Sequence, residues 1–141
     1  MSRVKTWDIF FTTKSNYNMK NIIKLEELGL LILFSILYFV FNNGTWGFFL
    51  ALFFVPDISF LFYLINKKIG AIAYNILHHK GVIALVIMIG FYYHDHLLTT
   101  IGLIFMAHSC FDRALGYGLK YFDSFEHTHL GWIGKSVAKN E

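Results

Sequence analysis

Between Leu28 and Pro56 the chain carries no charged residue. At about 1.5 Å of rise per residue such a run exceeds the roughly 30 Å hydrocarbon thickness of a bilayer, so it holds one span and most of a second. The polar break Asn42-Asn43-Gly44-Thr45 divides it, because Asn and Gly tolerate the positive φ of a turn. The first helix then falls near Ile23–Phe41 and the second near Trp46–Asn66, closed by Lys67-Lys68.

Composition supports a membrane setting. Hydrophobic residues make up 56% and charged ones 15% of 141 residues, against about 45–50% and about 25% in soluble domains. Mean hydropathy is +0.52. A soluble helical protein that buries this surface by oligomerising is the alternative reading. One domain fits the length. The formal charge of +3 is too small and scattered for a nucleic-acid footprint, and the single Cys110 excludes a disulfide or multi-cysteine metal site within the chain. Residues 1–20 are polar and mixed and do not read as a cleavable signal peptide.

Further along, Pro56-Asp57 interrupts the second helix, since proline removes a backbone hydrogen bond. A third helix spans about Ile69–Tyr93, interrupted at His78-His79-Lys80-Gly81, and a fourth about Leu97–Tyr121. Lysine and arginine gather in the first twenty residues, at Asn66-Lys67-Lys68, and in the tail with Lys135 and Lys139. The Asn42–Thr45 and His94–His96 turns have none. The positive-inside rule then places both ends in the cytoplasm of a plasma-membrane protein. The expected fold is all-α: a membrane-spanning bundle of four helices, the second and third interrupted by polar breaks. Residues 1–21 form a polar N-terminal arm, 22–121 the helical domain, and 122–141 a polar C-terminal tail.

Counting inward from the cytoplasmic helix ends gives the polar residues a common depth. Asp57, His78 and Asp112 lie about 12–14 Å deep and His108 about 18 Å at ~1.5 Å per residue. Facing lipid, Asp57, Lys80, Asp112 and Arg113 would cost about 2.5–3.5 kcal/mol each, together comparable with the ~5–15 kcal/mol net stability of a domain. They must pair inward, bind an ion or line water. His108 and Asp112, at i and i+4, share a face, as does Asn75 with the histidine pair His78-His79. Adjacent histidines point about 100° apart, so one of the two at most joins a site. Arg113, turned equally far from Asp112, is a counter-charge with Asp57 as the obvious partner.

Structural readings stand beside these. Asp57 can cap a restarting helix, His78 or His79 can satisfy a freed carbonyl, and Asp112–Arg113 can be a buried ion pair. Tyr117 and Trp132 read as interfacial anchors, His94 and His96 as solvated turn residues, Glu26 and Glu27 as helix charges, and Lys120 as the cytoplasmic edge. Gly116-Tyr117-Gly118 lacks the pore helix of a potassium filter.

Several blocks together carry a family resemblance: Pro56-Asp57-x-Ser59; Gly70-Ala71 with Tyr74-Asn75-x-x-His78; Ala107-His108 with Phe111-Asp112-Arg113-Ala114-Leu115-Gly116-Tyr117-Gly118-Leu119-Lys120-Tyr121; and Thr128-His129-Leu130-Gly131. From about Leu25 to Gly134 the chain resembles the family called domain of unknown function 4260. The resemblance implies a small bacterial multi-pass membrane protein without an established activity. Its pattern includes the Asp57, Asn75, His78, His108, Asp112, Arg113 and His129 positions, which favours His78 over His79.

Three functions are compatible. The first is a metal-dependent membrane enzyme hydrolysing a lipid-like substrate, with His78, His108 and Asp112 holding Zn²⁺ and Asp57 and Arg113 as catalytic candidates; Asn75 and His129 are further members of the polar set. The second is a small transporter or proton-coupled carrier. The third is a structural membrane subunit whose buried charges set helix pairing. The bilayer is the expected partner, and four spans enclose so little that a homodimer is expected too.

Overall fold

A computed structural model describes residues 6–42 and 44–134, with side chains over 19–41 and 44–134. Arg3, Lys5, Lys135 and Lys139 lie outside the described residues, as do Asn43 of the first turn and the side chains of Lys14 and Asn42. Helix α1 runs over Thr6–Asn42, α2 over Trp46–Phe53, a 3-10 helix over Val55–Leu64, α3 over Lys67–His78, α4 over Lys80–Tyr92 and α5 over His96–Leu115. A two-stranded hairpin, β1 His127–Thr128 and β2 Gly131–Trp132, follows with Thr128 opposite Gly131.

Polar residues punctuate the helices where the orphan backbone groups of helix ends need partners. The Asn66 side chain accepts from Ile69 N–H at 2.8 Å to start α3, and Asp95 accepts from Leu98 N–H at 2.9 Å to start α5. Thr45 accepts from Phe48 N–H at 3.4 Å to start α2. Pro56 enters the 3-10 helix at its first turn, where its missing N–H costs nothing. His79 ends α3 and caps α4, its Nδ1 accepting from Gly81 and Val82 N–H, and the two helices bend by 47° there. Gly116, at φ 97°, ends α5 in the left-handed conformation.

Helix α5 is the centre of the assembly. It packs on α1 and α4, while α3 packs against the 3-10 helix. Leu103, Ile104 and Ala107 meet Tyr38, Phe49 and Phe53 on one side, and Met106 and Cys110 meet Ile83 on another. Gly90 and Gly102 let α4 approach: a Cβ on Gly90 would lie 2.7 Å from Thr99 N, and one on Gly102 3.2 Å from Ile87 N. Gly90→Ala is therefore expected to cost about 1–3 kcal/mol, read as a lowered Tm in detergent.

Beside this apolar core, several polar groups lie inside and many large apolar side chains outside. Glu27, Ser59, His78, His108, Ser109 and Asp112 are buried. Ile32, Val40, Leu50, Leu61, Leu64, Leu85 and Met88 are each more than half exposed. The segment Trp46–Leu64, 19 residues with mean hydropathy 1.9, is long and apolar enough to cross a membrane. The bent pair α3–α4 makes a second such segment if it counts as one.

Several boundaries differ from the sequence expectation. Helix α1 begins at Thr6, inside the segment set apart as an arm. Helix α5 ends at Leu115 rather than Tyr121, because Gly116 redirects the backbone. The tail folds back as a hairpin. Glu27 is neither free nor a simple helix-end charge: it pairs with Lys80 across α1 and α4.

Candidate metal centre

Three segments bring one group together. Asp57 sits in the first turn of the 3-10 helix, His78 at the last position of α3, and His108 and Asp112 one turn apart on α5. One ligand atom from each of the four lies within 4.8 Å of all the others. His78 Nε2 is 3.1 Å from His108 Nε2 and 3.4 Å from Asp112 Oδ2; His108 Nε2 is 3.4 Å from Asp57 Oδ1 and 3.7 Å from Asp112 Oδ1. Four ligands around a zinc-sized ion at about 2.0–2.1 Å would stand about 3.3–3.4 Å apart along the tetrahedral edges. The observed separations bracket that value, so the group could hold a metal ion.

The surrounding bonds orient it. His78 Nδ1 is 2.9 Å from the Tyr74 carbonyl, which can only accept, so the proton sits on Nδ1 and the Nε2 lone pair faces the group. The Tyr74 hydroxyl donates to Asp112 Oδ2 at 2.7 Å, and the Ser109 hydroxyl to the His78 carbonyl at 2.8 Å. The Tyr74 ring stacks on the His78 ring at 3.8 Å, and Phe53 stands edge-on to His108 at 5.0 Å. The Tyr74 carbonyl fixes the tautomer and direction of His78 in the way outer partners orient a metal ligand, whereas His108 Nδ1 is buried without a hydrogen-bond partner among the described residues. Exposure is uneven: the side chains of His78 and His108 are 3% and 1% exposed, Asp112 12%, and Asp57 34%. The group opens on the Asp57 side.

Other expected members lie elsewhere. Arg113 makes no ion pair with Asp57. It lines a cavity with Lys20 and Lys24, because the face of α5 one residue on from Asp112 turns towards α1 and the tail. Asn75 belongs to the tail's anchorage: Lys120 N–H donates to its Oδ1 at 2.7 Å, and its Nδ2 donates to the Lys120 carbonyl at 2.9 Å. His129 also serves the tail. Its Nδ1 accepts from Leu119 N–H at 2.8 Å while its own N–H donates to the Leu119 carbonyl at 3.1 Å. His94 and His96 are exposed beside the capping Asp95.

Lys120, read from sequence as an edge marker, is buried at 3% exposure. Its Nζ has no hydrogen-bond partner among the described residues and lies 4.0 Å from the Phe125 ring centroid and 5.1 Å from that of Tyr74. Burial pushes its ammonium down to about 8. Asn75, one turn before His78, was the signal that could have found it: a half-buried amide on the site face needs partners, and it clamps this backbone.

Burial, helped by the Arg113 charge, holds the His129 imidazole below its ordinary value. The folded state then binds fewer protons than the unfolded chain, so His129 lowers stability as pH falls through about 6.5. Melting followed from pH 7.5 to 5 is expected to show a decline that is shallower in His129→Asn.

Comparison with curated proteins and with solved structures finds no match to the chain. A family model described as Domain of unknown function (DUF4260) matches residues 20–133. That match covers most of the sequence, and the chain belongs to this family.

Proposed function

We propose that the protein is a multi-pass membrane enzyme that uses a divalent metal, best fitted by Zn²⁺, to hydrolyse a lipid-like substrate. The observation that carries this reading is the convergence of two imidazole and two carboxylate groups, one ligand atom of each within 4.8 Å of all the others, in a largely apolar bundle. Buried ionisable groups in a membrane protein are expensive and face the bundle interior when they have a function. Apolar side chains on the outside and polar ones inside suit a bilayer on all sides. The orientation with both termini cytoplasmic rests on the distribution of Lys and Arg alone.

His78, His108 and Asp112, the most buried three, would hold the ion. Asp57, the exposed fourth, would hold water beside it and take its proton. A bound metal supplies a Lewis acid and lowers the pKa of a water in its open position towards about 7. Phe54, Ile58 and Leu61 around Asp57 are each more than half exposed, so a substrate reaching the opening meets an apolar rim. That rim favours an amphiphile over a sugar or nucleotide.

Release of fatty acid from dioleoyl phosphatidylglycerol and of p-nitrophenol from p-nitrophenyl octanoate tests the reaction. Zinc-loaded protein in detergent is expected to turn over at least one of them, and Asp57→Asn to lose about 10²–10⁴-fold, as for a general base. Turnover that survives both chelation and Asp57→Asn would remove the reading. A proton-coupled carrier is the second reading, supported by the broken backbone at Val55–Leu64 and the 47° bend beside the same group. Proton flux into liposomes, abolished by Asp57→Asn without any hydrolysis, would favour it.

A further inference from the structure

We propose that the cavity between the N-terminal half of α1, the end of α5 and the C-terminal hairpin binds a phosphate-bearing anion, and that in the membrane this is the headgroup of an anionic phospholipid. The cavity has a volume of about 350 Å³ and is lined by Lys20, Lys24 and Arg113 and, among the described residues, by no carboxylate. That volume suits a phosphoglycerol headgroup, at the lower end of ligand sites. Lys20 and Lys24, at i and i+4 on α1, share one face, and Arg113 meets them from α5. None of the three makes an ion pair or a side-chain hydrogen bond among the described residues. Three cations around one concavity repel each other, and an anion between them relieves that repulsion.

The end of α5 works against an anion, since a helix C-terminus carries about half a negative charge. Here its carbonyls are partly neutralised: Gly116 N–H donates to Arg113 O at 3.0 Å and Tyr117 N–H to Asp112 O at 2.8 Å. Three full positive charges outweigh the remainder. The guanidinium supplies the planar fork that takes two oxygens of a phosphate, and the two ammonium groups the point charges.

The rest of the lining argues for a lipid rather than a soluble ion. Tyr117 and Trp132 line the same cavity, the residue types that settle at the headgroup level of a bilayer. Leu115, at 56% exposure, and Ile23, at 39%, stand at its edge, where acyl chains would continue from the headgroup. A basic pocket beside a membrane-facing helix is the form that headgroup sites take. This reading does not depend on the candidate metal centre, none of whose four residues lines this cavity.

Calorimetric titration of the full chain in a non-ionic detergent with dioctanoyl phosphatidylglycerol, dioctanoyl phosphatidylcholine and inorganic phosphate tests it. Phosphatidylglycerol is expected to bind at least about tenfold more tightly than phosphatidylcholine and to weaken as salt rises. Arg113→Gln and the double variant Lys20→Gln/Lys24→Gln are each expected to lose about tenfold or more, and Lys68→Gln, a basic residue away from the cavity, to lose nothing. Inorganic phosphate binding with the same sensitivity to Arg113→Gln, and phosphatidylglycerol no better, would keep the phosphate site and assign it to a soluble ligand. Binding of neither, or equal binding by wild type and by variants that keep the wild-type Tm, would overturn the proposal.

Discussion

On the proposed zinc reading, replacing His108 by alanine is expected to reduce bound zinc from about one ion per chain to a trace, because a site with three protein ligands cannot lose one and keep its affinity. His108 Nε2 is the atom nearest the middle of the group, within 3.7 Å of His78, Asp57 and Asp112. His79→Ala provides the contrast. His79 caps α4 through Gly81 and Val82 N–H, is exposed and is not a member of the group, so its loss should leave the zinc content intact and cost about 1 kcal/mol of stability. Tyr74→Phe stands between the two: it removes the 2.7 Å bond to Asp112 without touching a ligand. A fall of about 10–100-fold in zinc affinity is expected, the usual effect of losing an outer hydrogen bond. Elemental analysis of the purified variants separates the three outcomes.

The second large effect is on the tail. Asn75→Ala removes both partners of the Lys120 backbone at once, leaving a buried N–H and a buried C=O unsatisfied. Each such group costs about 1–3 kcal/mol, so a combined loss of about 2–6 kcal/mol is expected. The loss should be local, because the α1–α5–α4 core does not pass through Asn75. Trypsin gives the readout. Lys120 is buried in the native protein, and Asn75→Ala is expected to make the bond after Lys120 a rapid cleavage site while the helical core persists. Unchanged cleavage would mean that the ring contacts of Lys120 and its antiparallel backbone bridge to Thr128 hold the segment without the amide.

The His/Asp group was partly legible from sequence because position can be counted along helices read as spans. That count put Asp57, His78, His108 and Asp112 at similar levels, and in the structure one ligand atom of each lies within 4.8 Å of the others. The helical period placed His108 and Asp112 on one face and showed that His78 and His79 could not both join. Rotation about the normal was not legible, since it depends on which helices are neighbours. Arg113 was correctly turned away from Asp112, but what lies in that direction is α1 and the tail, not Asp57.

The end of α5 was misread for a local reason. Lys120 looks like a cytoplasmic border residue, and it drew the helix on to Tyr121 past Gly116. A glycine following a long helical run is a common stop signal, and giving it precedence would have freed residues 116–121 for the tail. The tail's fold could not be inferred beyond that. Its anchors include the long-range pair of Asn75 with Lys120 and the ten-residue closure of His129 on Leu119, and no periodicity announces them. The 3-10 path of Val55–Leu64 was half legible: Pro56 marks its entry, and Gly70, which lets the Tyr63 ring lie against α3, accompanies its packing.

X-ray absorption at the zinc edge of protein purified without chelators tests the metal centre most directly. The geometry predicts a shell of four nitrogen and oxygen atoms at about 2.0–2.1 Å with the outer-shell signal of two imidazoles, and loss of one imidazole signal in His78→Ala. A sulfur at about 2.3 Å, which only Cys110 or a methionine could supply, or protein that takes up no zinc while remaining folded, would contradict it.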